Sequence, residues 1–226
     1  MYRKILISVF AFISFFCFSQ IAKGNDNLYV FIGKKIDITE FDPNSNPIKA
    51  IQKEVDEETG DTIIVKKQKW FMDRAFHCKY IIINNLKNNL PEKTIEFNTY
   101  DHYGRPGFES FENVILYISK NKDGKFFHQK YTYDPVYKIN GKWVGILSFI
   151  ISDNHLDLWR KFVTIDINQD DSIKINIGNC DKKCQEIYYP WPYFKVKKGF
   201  VYPKKAFEIN DILAYRLITS TRKSID

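Results

Sequence analysis

Apolar and polar positions along this chain alternate, or run together, in short stretches separated by turn-forming residues. Residues 28–36 form an apolar, β-prone run, and its far end alternates through Lys35, Ile36, Asp37 and Ile38. A turn-rich segment at 41–47 follows. Glu57-Glu58-Thr59-Gly60-Asp61, placed between 51–55 and 62–65, then predicts a hairpin. Strands are predicted at 76–83 and 94–100, joined by a polar connection at 84–91 with two apolar plugs, Leu86 and Leu90. In the second of these strands Ile95 and Phe97 alternate with Thr94, Glu96 and Asn98, the pattern of a half-buried surface. A strand at 113–120 leads through Asn121-Lys122-Asp123-Gly124 into another at 125–133, and Asn140-Gly141 marks a second tight turn between 136–139 and 142–150.

The last third is less regular. Residues 161–167 and 172–177 read as strands flanking a polar turn, and 188–194 is an aromatic loop interrupted by Pro190 and Pro192. Over 205–219, Phe207, Ile212, Leu213 and Ile218 approximate helical spacing, which predicts one amphipathic helix. A domain boundary is expected near 152–157.

Composition narrows the class. The 226 residues are 44% apolar and 16% aromatic, enough for a true core and against a disordered tail or a fibrous rod. Arg3 and Lys4 precede a stretch at 5–18 that is apolar but for Ser8 and Ser14. A short basic region before an apolar core of this length describes a secretory signal peptide. The stretch is shorter than the about 20 residues that cross a bilayer comfortably. Residues 1–20 are therefore expected to be removed, leaving an exported, periplasmic or secreted chain with no membrane span. Cys17 follows Phe16, a poor match to a lipid-attachment site. In an oxidising compartment, Cys180-Asp181-Lys182-Lys183-Cys184 is expected to close a disulfide-bounded turn. The competing half zinc site lacks a second Cys pair. Cys78 lies within a strand pattern and reads as a buried thiol.

Three segments in order carry a resemblance to a known family: Val30-Phe31-Ile32-Gly33-Lys34, the long run from Phe76 through Cys78 and Tyr80 to Lys87, and Thr94-Ile95-Glu96-Phe97. Over about residues 28–138 the chain resembles the netrin-like modules built on OB-type barrels, the group that includes tissue inhibitors of metalloproteinases. The resemblance implies an all-β, OB-like barrel at 21–151, with a C-terminal extension of strands and one helix at 152–226. Tissue inhibitors chelate their target's zinc through an N-terminal Cys. The expected mature start, at 21–27, contains none, so the resemblance implies the barrel and not that mechanism.

Candidate chemistry concentrates in one stretch, Tyr100-Asp101-His102-Tyr103-Gly104-Arg105-Pro106-Gly107-Phe108-Glu109. An acid, a histidine, an arginine and several aromatics share a turn-rich loop after a strand, where rigid scaffolds tend to place function. Asp101, His102, Tyr103, Arg105 and Phe108 are the candidate ligand contacts. A rival reading is a metal-dependent hydrolase with His77, His102 and His128 as ligands and Asp101 as orienter. A third is a loop-based protease inhibitor. Sequence patterns for a serine nucleophile elbow, a phosphate loop or a His-Glu-x-x-His helix are missing. The net charge of +7 is spread along the chain. Lys120, Lys122, Lys125 and Lys130 surround aromatics, but an exported chain rarely meets nucleic acid, so none is expected as a partner. The expectation is an exported, non-catalytic binding module of the envelope or extracellular space, without a cofactor, whose partner is a protein or envelope ligand.

Overall fold

A computed structural model of the chain describes residues 27–45, 49–68, 70–146, 162–167, 173–178 and 180–222. The expected signal segment with Cys17, the boundary at 152–157 and the turn at 168–171 lie outside the described residues.

The chain is mostly β-strand. The first stretch contains β1 (Leu28–Phe41), β2 (Lys49–Val55), β3 (Thr62–Gln68), β4 (Arg74–Lys87) and β5 (Thr94–Asp101). A 3-10 turn at Gly107–Ser110 precedes β6 (Asn113–Lys120), β7 (Phe126–Ile139) and β8 (Lys142–Gly145). Then come β9 (Thr164–Asp166), β10 (Ile175–Asn176), helix α1 (Lys182–Tyr188), β11 (Phe194–Lys197), β12 (Phe200–Pro203), β13 (Lys205–Glu208) and helix α2 (Ile209–Arg222).

The largest sheet runs β5-β4-β1-β6-β7-β8-β13-β9, and β5 also pairs with β7 in parallel at Asn98↔Phe127. The pairings β5-β4-β1-β6-β7 thus return to β5. Inside this circuit lie Phe31, Phe76, Cys78, Tyr80, Phe97, Phe108, Leu116 and Ile118, all at most 1% exposed. Each such aromatic contributes about 1.5–3 kcal/mol of burial. Gly33 permits the density there, because a Cβ would lie 2.9 Å from the Phe31 ring and 3.0 Å from that of Tyr80.

Sequence patterning explains which strands are covered twice. In β1 and β6, Val30, Ile32, Ile115 and Tyr117 fall on the face opposite the circuit's interior. They pack with Val136, Phe207, Ile212 and Tyr215, so α2 covers that face. The stretches of β1 and β6 buried on both sides, 30–33 and 114–118, are apolar throughout, whereas β5 buries one side and alternates. A fully buried charge anchors this cover. Asp134, 1% exposed, accepts from Tyr117 Oη at 2.9 Å and from Arg216 Nη2 at 2.6 Å. Arg216 Nη2 also donates to the Tyr133 carbonyl at 3.1 Å.

Several elements depart from the sequence expectation. The strand at 76–83 extends through Asn84–Lys87, because β1 is long enough to pair with it as far as Val30↔Lys87. The strands expected at 125–133 and 136–139 are one, β7, which bends at an irregularity where Tyr131 takes φ 62°. Its first part pairs with β6 and its last part with β8. A helix, α1, was not expected beside the single C-terminal one. Asp181 caps it by accepting from the Cys184 amide at 2.8 Å. The expected helix at 205–219 begins only at Ile209, because Lys205–Glu208 is β13, paired with β8 and β9. The aromatic loop ends in β11, with Phe194 buried and Trp191 78% exposed. The β2–β3 hairpin forms a separate two-stranded sheet. No helix among the described residues is long and apolar enough to cross a membrane.

Candidate functional site

The 101–108 loop leaves the end of β5 beside the bend of β7. Asp101 sets its course: Oδ1 accepts from the Tyr103 amide at 2.8 Å, an Asx turn that reverses the chain. Gly104, at φ 137°, completes the reversal in a conformation side chains rarely adopt. Arg105 then straps the loop down. It forms a bidentate pair with Glu109, Nε–Oε2 at 2.5 Å and Nη2–Oε1 at 2.7 Å, and donates to the Ile38 carbonyl at 3.1 Å. Its guanidinium also lies 5.2 Å from the Phe76 ring centroid. The Arg105 bond holds the Glu109 carboxyl below the usual carboxylate range.

Between this loop and β7 lies a pocket of about 350 Å³, lined by Asp101, Tyr103, Arg105, Phe108, Tyr131 and Tyr133 among others. Tyr103 is 86% exposed and its ring centroid lies 5.8 Å from that of Tyr131. Tyr131 Oη accepts from the His102 amide at 3.3 Å. Gly107 makes room on the other side, since a Cβ there would run into Tyr133 Oη. Beside the pocket, Asp73 receives Lys130 Nζ at 2.5 Å and lies 3.2 Å from His102 Nδ1. The Lys130 bond keeps the Asp73 carboxyl below its ordinary range.

The candidate contacts therefore divide. Asp101, Tyr103 and Arg105 share the pocket, while His102 turns to Asp73. Phe108 reaches only its floor: it is 1% exposed and packs edge-on against His128 at 4.7 Å and Tyr133 at 6.0 Å. It is a core residue rather than a free contact, because the 3-10 turn points it into the circuit. Arg105 is committed to Glu109 and positions the loop.

The three histidines have separate surroundings. His77 faces Asn98 Oδ1 at 3.0 Å and Glu96 at 3.4 Å, beside a different pocket bordered by Lys125 and Phe126. His102 is exposed. His128 is buried, with Nε2 2.9 Å from the Thr132 carbonyl and Nδ1 3.4 Å from Thr99 Oγ1. A proton on Nε2 suits that carbonyl, and burial pushes the ring's pKa down to about 4. Among the described residues no group of three His, Cys, Asp or Glu side chains is placed to hold a metal ion. Cys78 is buried and its thiol is pushed up to about 12, chiefly by burial, which leaves it poorly nucleophilic. Cys180 and Cys184 are joined in a disulfide.

Sequence reasoning missed Tyr131, Tyr133 and Thr99 as pocket residues. They reach it through the parallel contact of β5 with β7, a non-local pairing that no pattern within either strand announces. Comparison with family models, with curated proteins and with solved structures finds no match to this chain.

Proposed function

We propose that this chain is an exported, non-catalytic binding module of the cell envelope or extracellular space, which holds its ligand in the pocket under the 101–108 loop. The observation that carries the reading is the pocket itself. Exposed Tyr103 stands over a cavity of about 350 Å³ whose wall holds a largely buried carboxylate, Asp101. Ligand sites commonly pair apolar and aromatic walls with a few convergent polar groups.

The barrel is an OB-type one in this reading. Its support is the circuit β1-β4-β5-β7-β6, closed by one parallel contact, with a short helical turn between β5 and β6. Loops at one end of such barrels bind ligands. The barrel domain spans 21–151 and the extension 152–226, with β13 of the extension continuing the barrel's sheet through β8. Residues 1–20 direct export, after which the disulfide between Cys180 and Cys184 forms in an oxidising compartment.

A ligand-observed NMR screen of small polar and aromatic fragments against the purified chain tests this. Fragments should bind the parent and be lost in Tyr103→Ala. Arg105→Ala should weaken them by loosening the loop. Hits indifferent to both substitutions would place the site elsewhere.

A further inference from the structure

We infer that the pocket under the 101–108 loop takes a small organic ammonium cation, with Asp101 as its counter-ion and the tyrosines as its walls; this rests on the pocket reading above. The charges around the cavity are the starting point. Arg105 is bound by Glu109, Lys130 by Asp73, and Arg74 by Glu40 at 2.8 and 2.5 Å. Asp101 has no such partner among the described residues. It is 8% exposed, its Oδ1 is taken by the Tyr103 amide, and its other oxygen opens to the cavity rather than being sealed in the core, since Tyr80 Oη is the one buried side-chain polar atom without a partner among the described residues. The influence of Asp101 reaches Tyr133, whose hydroxyl is held in its neutral form chiefly by burial and also by nearby carboxylates, Asp101 among them.

The aromatics around Asp101 suit the same occupant. Tyr103, Tyr131 and Tyr133 line the cavity, with Phe108 at the floor. A cation within about 6 Å of such ring faces is attracted by their negative quadrupole. The volume, about 350 Å³, is at the small end for ligand pockets. An anion fits poorly: the guanidinium of Arg105 is already engaged by Glu109, and Asp101 would repel it. The chain's net charge of +7 opposes long-range steering of a cation, so recognition must come from contact within the cavity.

The test is calorimetric titration of the full chain with choline and with its uncharged isostere, in which carbon replaces the quaternary nitrogen. Choline should bind, and the isostere at least about tenfold more weakly. Asp101→Asn should weaken choline by at least about tenfold, since the amide oxygen can still accept from the Tyr103 N–H while the charge is gone. Thermal unfolding of that variant establishes that it folds. Tyr103→Ala should cost about fivefold. Equal binding of choline and isostere, or choline affinity untouched by Asp101→Asn, overturns the inference. If neither probe binds at millimolar concentration while Tyr103-dependent fragments do, the cation assignment falls and the pocket reading stands. If no ligand depends on Tyr103, the pocket reading itself falls.

Discussion

Two buried carboxylates on this scaffold have opposite surroundings. Asp134, in β7 beneath α2, is 1% exposed, and its oxygens are met by Tyr117 and by Arg216. Asp101, at the end of β5, is 8% exposed and has one backbone donor on one oxygen. The first is surrounded by its answers. The second faces a cavity. Burial alone thus does not mark a functional acid; on the inference drawn above, what separates the two is whether the protein supplies the compensating charge or leaves it to a ligand.

Breaking the closed site should have the largest effect. Asp134→Ala strands the Arg216 guanidinium and the Tyr117 hydroxyl under α2, and should destabilise the fold by about 3–5 kcal/mol in urea titrations. His128 gives the next. It stays neutral in the fold down to about 4, while the unfolded chain protonates it at the ordinary 6.5. Between these values the unfolded state binds the extra proton. The contribution is therefore full above pH 6.5 and is lost as pH falls toward 4, about 3 kcal/mol in all. Urea midpoints across that range should show the loss, and His128→Gln should flatten it. Replacing both Cys180 and Cys184 by Ser should cost about 2 kcal/mol, the value for closing so short a loop, and leave pocket binding unchanged. The smallest change in stability belongs to Asp101→Asn, within about 1 kcal/mol of the parent, although it removes the pocket's charge.

Much of the β framework was legible in the chain. Alternation marked β5, and Asp-Gly and Asn-Gly turns marked the β6–β7 and β7–β8 hairpins. What escaped detection depends on distant partners. The polar residues Asn84 and Asn85 continue β4 because β1 offers them a ladder. The strands β11 to β13 are only four residues each, too short to show a period. The helix α1 did carry a local sign, Asp181 as a cap, hidden by reading the Cys pair as a turn. At the site, the 101–108 loop was recognisable by composition, but its division of labour was not. Phe108 and exposed Tyr103 look alike in sequence. Only the 3-10 turn sends one inward.

The most direct test of the contrast is thermal unfolding of Asp134→Asn and Asp101→Asn, each with and without saturating choline. Asp134→Asn should melt well below the parent yet keep the upward shift with choline. Asp101→Asn should melt close to the parent and lose that shift. If both variants lost stability alike and both kept the shift, the distinction between a carboxylate satisfied by the fold and one reserved for a ligand would be wrong.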